Sequence, residues 1–457
     1  MMPSKKVRIQ TGSPNRIAWC LTGVLLLAAG CRTADFTGYS YDPPGVTDTR
    51  DREMDPHHRR TIGFLADSVW FSNEFDGSRM SDVYRVGADS FRVTIHPENR
   101  PINNSPWYAF RVWSSRPKRI HVELRYPGHR HRYVPNVNGL RLDLADSLQT
   151  GGASVTVEDS VAWLRIPASP DPTLVSAQPV HGTADYLEWL SGLDGNPHVT
   201  WGALGTSKQG REMQWLRISD GPEPERGQEF QPDGGQAGDG GVGSQAGEKG
   251  VVLVIGRQHP PEIPGYLVMR HFLERIAMER DSLSDAFRAR FDVLAVPMMN
   301  PDGADQGHWR HNAGGIDLNR DWDRFVQPET RAARDWLLEL NEQERRVWYG
   351  VDFHSTNENI LYPIERPVKT FPEDFTYRWV EDIRAADPGV ALNVEPFDTS
   401  SPIAKNWIWR EFGADAVTFE VDDGESPANL RRFAWTSAET LMQALNQAYD
   451  HHMENAK

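Results

Sequence analysis

His259-Pro260-Pro261-Glu262 follows directly on the apolar run at residues 251–256. It sets an imidazole and a carboxylate three residues apart at the end of a buried strand. Zinc takes neutral nitrogen and anionic oxygen ligands from a rigid base, with one position left open when the site is catalytic. Two ligands at this spacing make half of such a site. A second apolar run, 347–351, leads into Asp352-Phe353-His354-Ser355 and offers a third ligand in His354. Another carboxylate, Glu420, stands among strand residues in Val417-Thr418-Phe419-Glu420-Val421. A carboxylate in an apolar strand demands a partner. His-x-x-Glu alone is a common surface pattern, so its weight depends on the elements around it. The only cysteines are Cys20 and Cys31, both near the start, so a metal site in the body must use His and carboxylate.

Those elements follow from periodicity. From residue 251 strands alternate with amphipathic helices: strands at 251–256, 291–296, 347–353 and 416–420, helices at 264–279, 329–344 and 427–450. The alternation predicts an α/β domain over 181–457, with helices on both faces of a mixed sheet. Ligands in such sheets gather beyond strand C-termini, which is where His259, His354 and Glu420 fall. Residues 61–180 read differently. Short β-like runs at 90–95, 107–113, 120–126 and 160–166, punctuated by Pro and Gly, predict a small all-β sandwich. Residues 220–249 hold almost no large apolar side chain and read as a disordered insertion.

The first 31 residues stand apart. Lys5, Lys6, Arg8 and Arg16 precede an uncharged apolar run that closes on Leu27-Ala28-Ala29-Gly30-Cys31. This reads as a secretory signal, and its end resembles a bacterial lipobox. That resemblance implies lipidation of Cys31, a membrane anchor and a place in the cell envelope. Arg32 after the cysteine implies the outer membrane, facing the periplasm. Residues 32–60, with Pro43-Pro44 and a charge run from Arg50, read as a tether. A formal net charge of −15 argues against nucleic acid as a partner.

Four stretches together resemble the zinc metallocarboxypeptidase family. They are His259, Glu262 and His354; Asn300-Pro301-Asp302-Gly303 followed by Gly315-Ile316-Asp317-Leu318-Asn319-Arg320; Thr418-Phe419-Glu420; and Leu204-Gly205-Thr206-Ser207-Lys208-Gln209-Gly210-Arg211. The sandwich and Arg257-Gln258-His259-Pro260 resemble the cytosolic-carboxypeptidase branch. The resemblance implies one Zn²⁺ per chain on His259, Glu262 and His354, and Glu420 as general base. It implies Arg310 as oxyanion stabiliser, Asn319 and Arg320 as the grip on a substrate's terminal carboxylate, and Asp317 as the carboxylate that orients His259. His308 and His311 read as solvated loop histidines rather than ligands.

Two departures matter. Asp398 stands where many members carry tyrosine, although Trp407 falls where the family often has tryptophan, and Pro261 stands where digestive members carry arginine. Lys405 aligns with the floor of the pocket for the C-terminal side chain. A lysine there would favour acidic residues; the alternative is a solvated helix lysine. The reading that results is a zinc exopeptidase acting on peptides with a free carboxylate. Peptidoglycan stem peptides are a second substrate class, and a binding lipoprotein without turnover is a third possibility.

Overall fold

The computed structural model describes residues 47–220 and 249–455, except 159, 343, 344 and 397. The leader with Cys31, the first part of the expected tether and the insertion over 221–248 lie outside the described residues.

The N-terminal body is built from eleven short strands: β1 (Thr61–Phe64), β2 (Val69–Ser72), β3 (Asp82–Gly87), β4 (Ser90–Thr94), β5 (Ala109–Ser114), β6 (Lys118–Arg125), β7 (Asn136–Val137), β8 (Leu140–Arg141), β9 (Ser154–Glu158), β10 (Val161–Ala168) and β11 (Thr173–Ser176). They form a six-stranded sheet, β1-β2-β5-β11-β7-β8, and a five-stranded one, β3-β4-β6-β10-β9. Alternation explains the layers. On β6 the residues Ile120, Val122 and Leu124 are buried and join Phe71, Phe91 and Phe110 in one core.

The C-terminal body follows: α1 (Thr183–Gly192), β12 (Val199–Thr206), β13 (Glu212–Ile218), β14 (Gly250–Gly256), α2 (Ile263–Met278), α3 (Ser282–Arg290), β15 (Phe291–Val296), α4 (Pro301–Gln306), α5 (Pro328–Glu342), β16 (Val347–Thr356), β17 (Ile360–Pro363), α6 (Phe375–Ala386), β18 (Asn393–Val394), α7 (Ala404–Phe412), β19 (Asp415–Asp422) and α8 (Pro427–Asn455). One mixed sheet runs β12-β13-β15-β14-β16-β19-β17-β18. Its four central strands, β15, β14, β16 and β19, are parallel. Their runs are largely apolar because both faces are covered. Val252 and Val254 of β14 face the core under α2, α6 and α8. Val251, Leu253 and Ile255 face the core under α5 and α7.

Residues 47–60 depart from the expected tether. They lie along the body as a strap, because their polar groups find partners there. Arg52 N donates to Gly314 O (2.8 Å) and Asp55 N to Glu98 O (2.6 Å). Thr49 is fully buried, and its carbonyl accepts from Gln327 Nε2 (2.7 Å).

Candidate metal centre and active site

Three features of the sheet bring the distant ligands together. β14 ends at Gly256, and a turn held by Arg257 carries His259. Arg257 sits at φ 52°; its Nε donates to Pro260 O (2.9 Å) and its Nη2 to His181 O (3.0 Å). Glu262 caps α2 at its N-terminus. The start of that helix presses on β16 so closely that a Cβ on Gly265 would lie 2.1 Å from His354 O. Gly265 N also donates to Ser355 Oγ (2.7 Å). Only glycine permits this approach, and the approach sets Glu262 beside His354. Finally, β16 and β19 run parallel with His354 directly opposite Glu420, so both side chains leave the same face of the sheet.

The donor atoms converge. His259 Nδ1 lies 2.9 Å from Glu262 Oε1, His354 Nδ1 lies 2.7 Å from Glu262 Oε2, and the two Nδ1 atoms are 3.1 Å apart. Two nitrogens on one tetrahedral zinc would stand about 3.3 Å apart at the usual ~2.0–2.1 Å bond length. Each ring turns its other nitrogen to a carboxylate: His259 Nε2 to Asp317 Oδ1 and His354 Nε2 to Asp352 Oδ2, both 2.9 Å. A carboxylate only accepts, so each Nε2 carries a proton, and a cation set between the rings would be met by the lone pair of each Nδ1. Burial works against ionising Glu262, but the two imidazoles outweigh it and hold the carboxyl well below its usual range. The donor set therefore fits zinc, and among the described residues it is the group that meets the geometry of a metal site.

Facing it is an unsatisfied acid. Glu420 Oε2 is buried and has no hydrogen-bond partner. Its carboxyl is pushed up to about 8, first by burial and then by the negative charge of Glu262, while His354, Arg132 and Arg310 pull the other way. An orphaned buried carboxyl is costly, and it marks a place where a ligand belongs.

Arg310 Nε donates to Asp317 Oδ2 (2.7 Å), so Asp317 holds His259 with one oxygen and Arg310 with the other. Arg320 lies on the same carboxylate at 4.0 Å, and its Nη1 donates to Asn319 O (2.9 Å). Asn319 is committed to the protein at both ends of its amide. Its Oδ1 accepts from Ala404 N (2.9 Å), and its Nδ2 lies 3.3 Å from Asp352 Oδ2 and 3.1 Å from His354 Nε2. With the His354 Nε2 proton aimed at Asp352, Asn319 shares that carboxylate rather than donating to the ring. In this structure Asn319 ties α7 to the metal centre.

Lys405 is not a solvated helix lysine: it is fully buried, with Nζ donating to Pro363 O (3.2 Å). Burial pulls its ammonium down to about 7, opposed by the charges of Asp398, Asp415, Glu365 and Asp352. Asp398 does not stand in for a tyrosine. It closes a turn at φ 33°, accepting from Ser400 N (2.9 Å) and Ser401 N (3.1 Å). His308 and His311 also differ from expectation, being buried rather than solvated. His308 Nδ1 faces His311 O (2.9 Å) and His311 Nδ1 faces Asn99 Oδ1 (2.6 Å).

Several residues of the site have no counterpart in the sequence reading. Asp352 orients His354, and Gln258 donates to both Asp352 oxygens (2.9 Å each) while accepting from Trp322 Nε1 (2.8 Å). The spacing of Asp352 and His354, two apart on one strand and so on one face, was the available signal. The sandwich contributes two more. Glu98, fully buried, accepts from the backbone N–H groups of Trp309 (2.8 Å), Arg310 (2.9 Å) and His311 (2.7 Å). It thereby fixes the loop that carries Arg310. Arg132 reaches across to Asp423 Oδ2, with Nε at 2.8 Å and Nη2 at 2.7 Å, just beyond β19.

The Asn300-Pro301-Asp302-Gly303 turn also has a physical role. Asn300 caps α4 through Gly303 N (2.9 Å) and donates to Gln258 O (3.1 Å). Asp302 accepts from Ser207 Oγ, Gln209 N and Arg211 Nη1 (2.7–2.8 Å). The turn clamps the segment behind His259 to the loop joining β12 and β13.

Comparison with known proteins agrees with this geometry. Residues 186–390 match the zinc carboxypeptidase family. The chain carries a zinc carboxypeptidase domain. Cytosolic carboxypeptidase-like protein 5 of Danio rerio is 38% identical over 80 residues, 18% of this chain and 9% of that protein. An uncharacterized protein of Zymomonas mobilis is 38% identical over 102 residues, 22% of this chain and 25% of that one. The chain thus matches a quarter or less of the length of these relatives. The metallo-carboxypeptidase structure from Burkholderia cenocepacia superimposes with a TM-score of 0.64 at 20% identity, over 84% of this chain and all of that one. The metallo-carboxypeptidase from Pseudomonas aeruginosa gives 0.63 at 19% identity, over 83% and 99%. At that identity the likeness is one of fold. The family match ends before Glu420, whose place in the carboxypeptidase domain rests on its register with His354.

Proposed function

We propose that the protein is a zinc-dependent exopeptidase that hydrolyses the C-terminal peptide or isopeptide bond of a substrate with a free carboxylate. The observation that carries this reading is the buried, partnerless Oε2 of Glu420 facing the converging His259, Glu262 and His354. Zinc, when held there, supplies Lewis-acid polarisation and a nucleophile at neutral pH. The chain's own residues do the rest. Glu420 takes a proton from the attacking water at its carboxylate and delivers it to the leaving amine. Arg310, anchored on Asp317, sets fixed positive charge beside the reacting carbonyl. Arg320 grips the terminal carboxylate, for which a planar guanidinium is the fitting partner.

Within this reading the substrate ends in an acidic residue, selected by Lys405 beneath the site. The lysine sits one residue beyond Ala404, which Asn319 ties to the metal centre. Lipidation of Cys31 would hold the enzyme at the envelope, where peptidoglycan stem peptides are at hand. The test is to incubate zinc-loaded protein with a mixed peptide and muropeptide library and identify released residues by mass spectrometry, with Glu420→Gln as control. Release of C-terminal glutamate that a chelator stops, and that Glu420→Gln lacks, is the expected result. No release from either class counts against the proposal. Labelling with a radioactive fatty acid, lost in Cys31→Ser, tests the anchor.

A further inference from the structure

A cavity of about 680 Å³ opens away from the metal centre, where the strap over 47–60 meets the sandwich and the loop after α4. Its wall carries His57, His58, Arg59, Arg79, Arg211 and His308. Cationic and imidazole groups seldom converge without a counter-charge. Carboxylates on or beside the wall meet two of its three arginines. Asp76, also on the wall, pairs with Arg59 (2.8 Å). Asp302 and Asp305 pair with Arg211 (2.7 and 2.9 Å). Glu98 is occupied by three loop amides. Glu98, and after it Asp55 on the wall, attract Arg79 only through space.

Arg79 decides the matter. The residue is 2% exposed. Nε donates to His96 O (2.8 Å), but Nη1 is buried with no hydrogen-bond partner. An unmet guanidinium N–H away from water costs free energy that an acceptor would recover. Cations are unwelcome in the same place. His57 is held down at about 3, by burial first and then by Arg79, His308, Arg59 and His58. The wall groups also do not meet metal-site geometry among the described residues.

We infer that this cavity binds a small oxyanion of the phosphate or carboxylate type, which accepts from Arg79 Nη1 against the histidine wall. Charge-assisted bonds from guanidinium to an oxyanion are the strong ones. The site stands independently of the proposed peptidase activity.

The experiment titrates inorganic phosphate, and separately succinate, into the full-length zinc-loaded protein at constant ionic strength set with NaCl. Calorimetry and the rise in Tm are the readouts. Saturable binding is expected in the wild type and in Arg320→Met, a control for anions that settle at the catalytic centre. Affinity is expected to fall at least about tenfold in Arg79→Met, the loss of one charge-assisted hydrogen bond. Should Arg79→Met fail to fold, the wall pair His58→Gln with Arg59→Met replaces it, with a loss of the same sense. Phosphate binding without succinate selects the phosphate class, and the reverse selects the carboxylate class; either supports the site. Binding of neither anion overturns it. So does binding that Arg320→Met abolishes while the cavity variants keep it.

Discussion

The α/β domain supplies every metal donor and Glu420, whereas the sandwich supplies Glu98 and Arg132, which hydrogen-bond to none of them. The first set sits on strand ends and a helix N-terminus, positions fixed by the backbone of one sheet. The second acts through loops: Glu98 on three amides next to Arg310, Arg132 on the carboxylate that follows β19. The difference separates two kinds of contribution. Donors must be placed to a few tenths of an ångström by rigid elements. The loops around them can be held by a neighbouring body, provided their polar groups are all met.

If that division holds, substitutions should rank by it. The largest loss is expected from Glu420→Gln, about 10²–10⁴-fold in kcat, with zinc stoichiometry and Tm preserved; retained turnover in a steady-state assay would remove Glu420 from the chemistry. Gly265→Ala comes next. Its Cβ would meet the His354 carbonyl, so loss of bound zinc measured by elemental analysis is expected. Asp352→Asn should weaken zinc binding about 10–100-fold, read by competition with a chromogenic chelator. The sandwich side should cost less. Glu98→Gln is expected to lower stability by about 1.5–3 kcal/mol and to reduce kcat/KM while zinc stays bound, because Arg310 loses its frame. An unchanged kcat/KM would deny the sandwich any part in the site.

A further effect is one of pH. Lys405 is held at about 7 in the fold against an ordinary 10.5, so between these values the unfolded chain binds the extra proton. Stability should therefore rise with pH from about 7 towards 10.5, and show no slope from this group below 7. Denaturant titrations of Lys405→Met should lack that rise. If Lys405 selects acidic residues, preference for C-terminal glutamate over leucine should also fade as pH passes 7, since the ammonium loses its charge.

Much of this was legible because it is periodic. The runs at 251–256 and 347–353 declare buried parallel strands, and His259, Glu262 and His354 follow from residue type at strand ends. β17, β18 and α6 were not legible: they are short or lie among Pro-rich turns where local propensity is weak. The strap was misread because charge run and proline signal a linker, whereas its partners come from sequence-distant positions such as Gly314 and Gln327. Glu98 and Arg132 carry no local signal at all. Each lies more than 200 residues from the group it holds, and only the docking of two bodies reveals them. His308 and His311 were misjudged for the same reason, since the surface that buries them belongs largely to the sandwich.

Trp309 draws out one consequence. It leaves the α/β domain, joins the apolar core of the sandwich, and donates through Nε1 to Trp107 O (3.0 Å). A fragment starting at residue 181 would carry a bare indole on its surface and a loop of unmet amides. Modular exchange of this domain into other proteins, or its expression as a stand-alone reagent, would therefore have to bring its β-rich companion along.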